Sequence, residues 1–297
     1  MKIGILVNQR SGRNKAQHLA ASCHSILAGR GHHVLVSDAV SANEEFIAQQ
    51  ERLLIVGGDG TVHHTLPNLI KHQTPFFHLG TGTSNLIARE LKMSRSPNRV
   101  ADWIEQGGET LLDVPTLDGV PFLIMCNFGM DAGVIHRFEQ ARSRSGGYRN
   151  YIIPVTCSFI QPTLASISIE VDGRELNLPN PMNLIIANMR SYALGINLCN
   201  NADPKDGQLN IHAMPCSTSI RWSIESILSL LRLQNGKSMR KLAQSIKITS
   251  HSDSTLVQCD GEIARTNSMP QGILKSGSAI AIEIGQFRIP SISPPYS

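Results

Sequence analysis

The chain has 297 residues, more than one hydrophobic core usually serves, so two domains are expected. With 41% hydrophobic and 17% charged residues, its composition excludes a disordered chain. A net charge of +4 suits an anionic substrate or membrane surface and is too small and scattered to argue for nucleic acid.

Lys2 to Val7 reads as a first strand, too short in its apolar part for a signal peptide. A polar loop, Asn8 to Gly12, follows, then a helix from Asn14 to Ala28 closed by Gly29 and Gly31. His33 to Ser37 is a second strand, Asn43 to Gln50 a short helix, and Leu53 to Val56 a third strand. This βαβα rhythm predicts a parallel sheet with right-handed crossovers and a ligand site beyond the carboxyl ends of its strands.

The third strand runs directly into Gly57, Gly58, Asp59, Gly60 and Thr61. Three glycines in four residues allow positive φ and the close approach of a bulky anion. A helix starting after Thr61 would aim its first N–H groups at that anion. Asp59 suits such a phosphate cradle if a divalent metal or a donor hydroxyl intervenes. The plainer alternative is a tight βα turn with a polar Asp. Phe76 to Leu79 then leads into GTGTSNLIAREL, Gly80 to Leu91, again strand, glycine loop and helix, with Thr83 or Ser84 as its cap. Three such loops at one sheet edge point to a nucleotide site.

After a helix from Arg99 to Gly107 the character changes. Strands are expected at Thr110–Val114, Val120–Phe128, Ser166–Val171, Asn183–Ala187, Gly207–Ala213, Ser245–Ser250, Thr255–Gln258 and Ala279–Ile284. Asp118-Gly119, Asp172-Gly173, Asp206-Gly207 and Asp260-Gly261 mark turns between them. Two helices interrupt this antiparallel domain, near Asp131 to Ile160 and from Thr218 to Leu233. The second has an apolar stripe followed by Lys237, Arg240 and Lys241, which would suit an anionic lipid surface. The tail from Pro290 is expected to be loose. The predicted division is residues 1–112, 113–290 and a tail of 291–297. The six cysteines form no CxxC pair and read as buried thiols of a reducing compartment. No apolar run approaches the ~18 residues a membrane span needs. A cytoplasmic protein follows, peripheral to a membrane at most.

Six ordered motifs resemble the diacylglycerol kinase catalytic-domain family, in particular its soluble bacterial lipid kinases. They are VNQRSGRNK from Val7, VGGDGTV from Val56, LGTGTSNLIARE from Leu79, FGMDA from Phe128, ADPKDGQLN from Ala202 and CDGE from Cys259. The resemblance implies an α/β fold of two domains: an N-terminal parallel α/β nucleotide-binding domain, like those of NAD kinases and diacylglycerol kinases, and a C-terminal antiparallel β-sandwich, with the nucleotide between them. It implies ATP-dependent phosphorylation of a lipid hydroxyl. By position, Asn8, Ser11, Gly57, Gly58, Asp59, Gly60, Thr61 and Thr81 would hold ATP, with Gly80 and Gly82 flanking Thr81. Asp59 would also face a catalytic Mg2+, and Glu262 would be the catalytic base. Asp206 through its carboxylate, with Asp203 and Gln208 through backbone carbonyls, would hold a second, structural Mg2+. Gln9 replaces the proline of the first motif, His63-His64 an Asn-Glu pair, Leu86 a carboxylate and Lys205 an acidic neighbour. These departures bear on which lipid is used. An NAD kinase-like enzyme and a non-catalytic lipid-binding homologue are the competing readings, and a homodimer stays open.

Overall fold

Continuous apolar runs make the first sheet. Lys2–Val7 (β1) and Arg52–Gly57 (β3) each bury five successive residues, as strands covered on both faces do. They pair in parallel, with His33–Asp38 (β2) outside β1 and the fully buried Phe76–Gly80 (β4) outside β3, in the order β2-β1-β3-β4. The connecting helices are Lys15–Gly29 (α1), Glu44–Ala48 (α2), Asp59–His72 (α3), Leu86–Glu90 (α4) and Pro97–Gln106 (α5). Arg52 stops α5: its guanidinium donates to the carbonyls of Ile104 at 2.7 Å and Gly107 at 3.0 Å, where orphan carbonyls and the negative helix end favour a cation. The computed structural model describes residues 1–12, 14–42, 44–141, 157–158, 163–178, 183–192, 199–214, 218, 220–221, 224 and 239–295. Most of the expected Thr218–Leu233 helix and Lys237 lie outside these, as does most of the segment after Ala141, whereas Arg240 and Lys241 fall in the strand Met239–Ala243.

The chain forms two compact units, the first being Met1–Asp113 with Phe287–Ser297. The second holds the antiparallel strands. In chain order the elements are Glu109–Leu117 (β5, which begins in the first unit), Val120–Pro121 (β6), Met125–Phe128 (β7), Met130–Ala141 (α6), Ile167–Val171 (β8), Arg174–Leu176 (β9), Asn183–Ala187 (β10) and Leu209–Met214 (β11). Met239–Ala243 (β12), Ser245–Ser250 (β13), Thr255–Cys259 (β14), Glu262–Ile263 (β15), Ile273–Leu274 (β16) and Ala279–Ile292 (β17) complete it. One layer has the order β12-β11-β10-β7-β14-β15; the other joins the start of β17 to β13, β8 and β9. Phe128, Ile186, Ile211 and Val257 of the first layer share a buried core with Ile169, Ile248, Ile280 and Ile282 of the second. This is the expected β-sandwich.

Three of the four Asp-Gly signals are two-residue hairpin turns with both residues at positive φ: 50° and 81° at Asp118-Gly119, 50° and 76° at Asp172-Gly173, and 52° and 84° at Asp260-Gly261. At the fourth, only Gly207 has positive φ, at 70°. Val120–Phe128, expected as one strand, is broken between β6 and β7. The N–H groups of Leu123, Ile124 and Met125 turn to the Asp260 carboxylate at 2.7–3.1 Å and leave the ladder. The expected loose tail is strand as far as Ile292. Ser291 pairs with Phe76, Ile289 and Ile292 are buried, and Ser293 N–H donates to Gly108. Its prolines suggested a coil, but burial of two isoleucines outweighs them.

Candidate active site

Parallel strands bring the loops after β1, β3 and β4 to one edge of the first unit, and side chains lock them together. Asn8 Nδ2 donates to Thr61 Oγ1 at 3.0 Å, tying the first loop to α3. Thr81 Oγ1 donates to Ser11 Oγ at 2.9 Å, tying the third loop to the first. Thr81 N–H donates to Gly57 O at 2.8 Å, tying the third to the second. Asn8, Ser11, Thr61 and Thr81, dispersed over 74 positions of sequence, thus form one cluster.

The glycines serve contact more than unusual dihedrals. Gly58 has φ −93° and ψ −179°, and neither Gly57 nor Gly60 has positive φ, which corrects the sequence expectation. A Cβ on Gly57 would run into the Thr61 side chain, one on Gly80 would meet Asn85 Cβ at 2.6 Å, and one on Gly82 would meet Gly58 Cα at 2.7 Å. Gly12 is the position that needs left-handed φ, at 66°, and a Cβ there would also stand 2.5 Å from Thr81 O.

α3 begins at Asp59, three residues before the expected start, and no side-chain hydrogen bond caps it. That leaves the positive end of a 14-residue helix at the loop cluster. Asp59 Oδ1 accepts the Ile87 N–H at 3.0 Å, so this carboxylate also covers the start of α4. The cap residue of α4 is Asn85, in left-handed conformation, not Thr83 or Ser84. Its side-chain amide holds both backbone groups of Gly82, at 2.8 and 2.7 Å, which freezes the third loop. His63 is half-buried and His64 exposed on α3.

Sequence reasoning passed over His78. It is fully buried in β4 beneath the glycine turn, with Nε2 3.1 Å from Gly57 O. Burial holds its pKa below the ordinary value, opposed by the charge of Asp59. The neutral ring must therefore carry its proton on Nε2, because a carbonyl only accepts. A histidine inside an apolar strand was the available signal.

In the second unit, the two acidic residues of the C-terminal motif divide their tasks. Asp260 is buried and accepts three backbone N–H bonds, so it fixes the hairpin and the β6–β7 break. Glu262 lies half-buried on the short β15, opposite Cys259. Asp131 opens α6; burial pushes its carboxyl up, against hydrogen bonds from Asn183, Tyr192 and Asn127. Asp203 and Asp206 are exposed. Asp206 Oδ1 accepts Gln208 N–H at 2.9 Å, and Asp206 N–H donates to Asp203 O at 3.3 Å. One carboxylate and nearby carbonyls are hard oxygen donors of the kind magnesium takes, with water filling its remaining positions. Among the described residues no three His, Cys, Asp or Glu side chains cluster as a protein-only metal cage.

The fold is that of diacylglycerol kinases and NAD kinases. A diacylglycerol kinase structure from Bacillus anthracis aligns over 99% of this chain and 97% of its own, with TM-score 0.68 and 17% identity. An NAD kinase from Archaeoglobus fulgidus in complex with ATP aligns over 99% and 94%, with TM-score 0.56 and 14% identity. The diacylglycerol kinase catalytic domain family matches residues 2–117 and the diacylglycerol kinase accessory domain family residues 124–263. A Mycobacterium tuberculosis diacylglycerol kinase is 28% identical over 224 residues, 71% of this chain and 72% of the relative. The chain belongs to the diacylglycerol kinase family.

Proposed function

We propose that this protein is an ATP-dependent lipid kinase that transfers a phosphoryl group to a hydroxyl of a diacylglycerol-like lipid. The observation that carries this reading is the interlock of three glycine-bearing loops at the uncapped start of α3. Phosphoryl transfer asks little covalent chemistry of a protein; it asks for positioning and for charge neutralisation. Asn8, Ser11, Thr61 and Thr81 hold the loops in register, so the N–H groups at the start of α3 meet phosphate already ordered. Gly57, Gly58, Gly80 and Gly82 leave room for the close contacts that hold the loops together. Asp59 uses one oxygen on Ile87 and keeps the other for a metal.

Glu262 would accept the proton of the lipid hydroxyl and orient its oxygen. Magnesium, when bound, supplies charge neutralisation at the phosphates. Asp59 would hold the catalytic ion; Asp206, with carbonyls of Asp203 and Gln208, would hold the structural one. Contact with a membrane surface would be peripheral. Among the described residues no helix is long and apolar enough to cross one.

The test is phosphate transfer from radiolabelled ATP, with short-chain diacylglycerol in mixed micelles and NAD as parallel acceptors. Labelled phospholipid, lost in Asp59→Asn while that variant melts normally, supports the reading. Asn keeps an oxygen for Ile87 and removes the charge. Labelled NADP would move the protein to the NAD kinase reading. ATP binding without transfer to either acceptor would leave a non-catalytic homologue.

A further inference from the structure

The peptide bond between Gly57 and Gly58 has a direction that the sequence does not enforce. Two glycines flank it, so it could turn over against little steric resistance. Its carbonyl faces β4, where Thr81 N–H donates to Gly57 O at 2.8 Å. A trans peptide carries its C=O and N–H on opposite sides. The Gly58 N–H therefore faces the β1 side, where Asn8 N–H donates to Val56 O and the loop Asn8 to Gly12 begins. Among the described residues this N–H has no acceptor.

His78 supplies a second hold on the same carbonyl. Its Nε2–H donates to Gly57 O at 3.1 Å, so both lone pairs of that oxygen are engaged. The two holds stand on different supports. Thr81 follows Gly80 on a glycine loop, whereas His78 lies within the buried β4, opposite Ile55, with its own N–H on Met93 Sδ at 3.1 Å. An imidazole is costly at this place. The residue is fully buried, and its Nδ1 has no partner among the described residues. An orphaned buried polar atom lowers stability, and leucine would fill an apolar strand without one. The bond to Gly57 O is what the histidine adds.

We propose that His78 is a positioning residue for the nucleotide: by holding the Gly57 carbonyl it keeps the Gly58 N–H turned toward a phosphate oxygen. The proposal rests on the nucleotide-site reading above. The N–H groups of Asp59 and Gly60 belong to α3 and take their direction from the helix. Gly58 is the cap residue, with extended backbone at φ −93° and ψ −179°, so the helix does not orient its N–H. A peptide turned over at this place would set a carbonyl oxygen against the phosphate. Attraction would become repulsion, beyond the loss of one donor.

Calorimetric titration with magnesium-ATP should compare the full chain as wild type, His78→Leu and His78→Gln. Leucine is apolar, removes the orphaned Nδ1 and leaves Gly57 O its bond from Thr81, so at neutral pH His78→Leu should melt no lower than wild type. Its ATP affinity should fall by ~10–100-fold, the weight of one hydrogen bond to a charged group. Glutamine carries an amide N–H in place of Nε2–H, and His78→Gln should recover most of that affinity. A second measurement reads the peptide itself. In protein labelled with 15N-glycine, the Gly58 amide signal, assigned by its absence in Gly58→Ala, should shift when ATP is added to wild type and to His78→Gln, and much less in His78→Leu. Wild type that binds no ATP overturns the nucleotide-site reading and this inference with it. ATP bound by His78→Leu as tightly as by wild type overturns this inference alone. So does a Gly58 signal that ATP leaves in place in wild type, or a His78→Gln protein as weak as His78→Leu.

Discussion

Gly58 and Gly82 touch backbone to backbone, and alanine at the two positions should have opposite consequences. A methyl group on Gly82 would stand 2.7 Å from Gly58 Cα, where relaxed carbon pairs sit ~3.5–4.0 Å apart. The obstacle is main chain and cannot rotate away, so the loops must part by roughly 1 Å. Overpacking of this kind costs about 1–3 kcal/mol. For a chain of this size each kcal/mol lowers the melting temperature by ~2–4 °C, so Gly82→Ala should melt several degrees lower. A methyl group on Gly58 meets Gly82 Cα at 3.4 Å, an ordinary contact, and φ −93° with ψ −179° is open to alanine. Gly58→Ala should therefore melt close to wild type. If phosphate approaches Gly58, the methyl group occupies its path, and ATP affinity falls without loss of stability. Differential scanning fluorimetry and calorimetric titration with magnesium-ATP measure both quantities. Equal destabilisation by the two substitutions, or a Gly82→Ala protein that melts like wild type, refutes the packing argument.

Four further outcomes are expected. Asp260→Ala strips three buried N–H groups of their acceptor, at ~1–3 kcal/mol each, and should cost stability outright. Glu262→Gln should melt normally, bind ATP and lose ~10²–10⁴-fold in transfer, and equal losses of nucleotide affinity and turnover would make Glu262 structural. His78 titrates below its ordinary value in the folded chain because of its burial, so stability is complete above ~6.5, the unfolded pKa, and is lost as pH falls from there toward the folded pKa. His78→Gln should flatten that acid limb of the melting profile; coincident profiles would show that His78 does not contribute to it. Asp206→Ala should weaken the rise of melting temperature with magnesium, since a ligand that binds the native state stabilises it by mass action, and a titration identical to wild type would remove Asp206 from any metal site.

The sequence by itself determined whatever depends on neighbours along the chain. Apolar runs at Leu53–Val56 and Phe76–Leu79 fixed buried parallel strands, because burial on both faces leaves no polar alternation. Asp-Gly pairs fixed three hairpins, because few residue pairs accept positive φ twice. The order of glycine loops located the candidate site at one sheet edge, since parallel strands carry their carboxyl ends together. Tertiary structure decided what depends on distant partners. Periodicity cannot tell that Asp260 holds residues 123–125 while its neighbour Glu262 lies half-buried on a short strand. Composition made the C-terminal segment look like coil, and burial of Ile289 and Ile292 carried the strand through Pro290 to Ile292. The glycines after Val56 looked like a device for unusual dihedrals, whereas Gly57 is kept small by the Thr61 side chain and the backbone at Gly58 keeps Gly82, 24 residues away, small. Local preferences amount to fractions of a kcal/mol per residue, while a steric overlap or an orphaned buried donor costs on the order of 1–3 kcal/mol. Where the two disagree, the distant contact prevails.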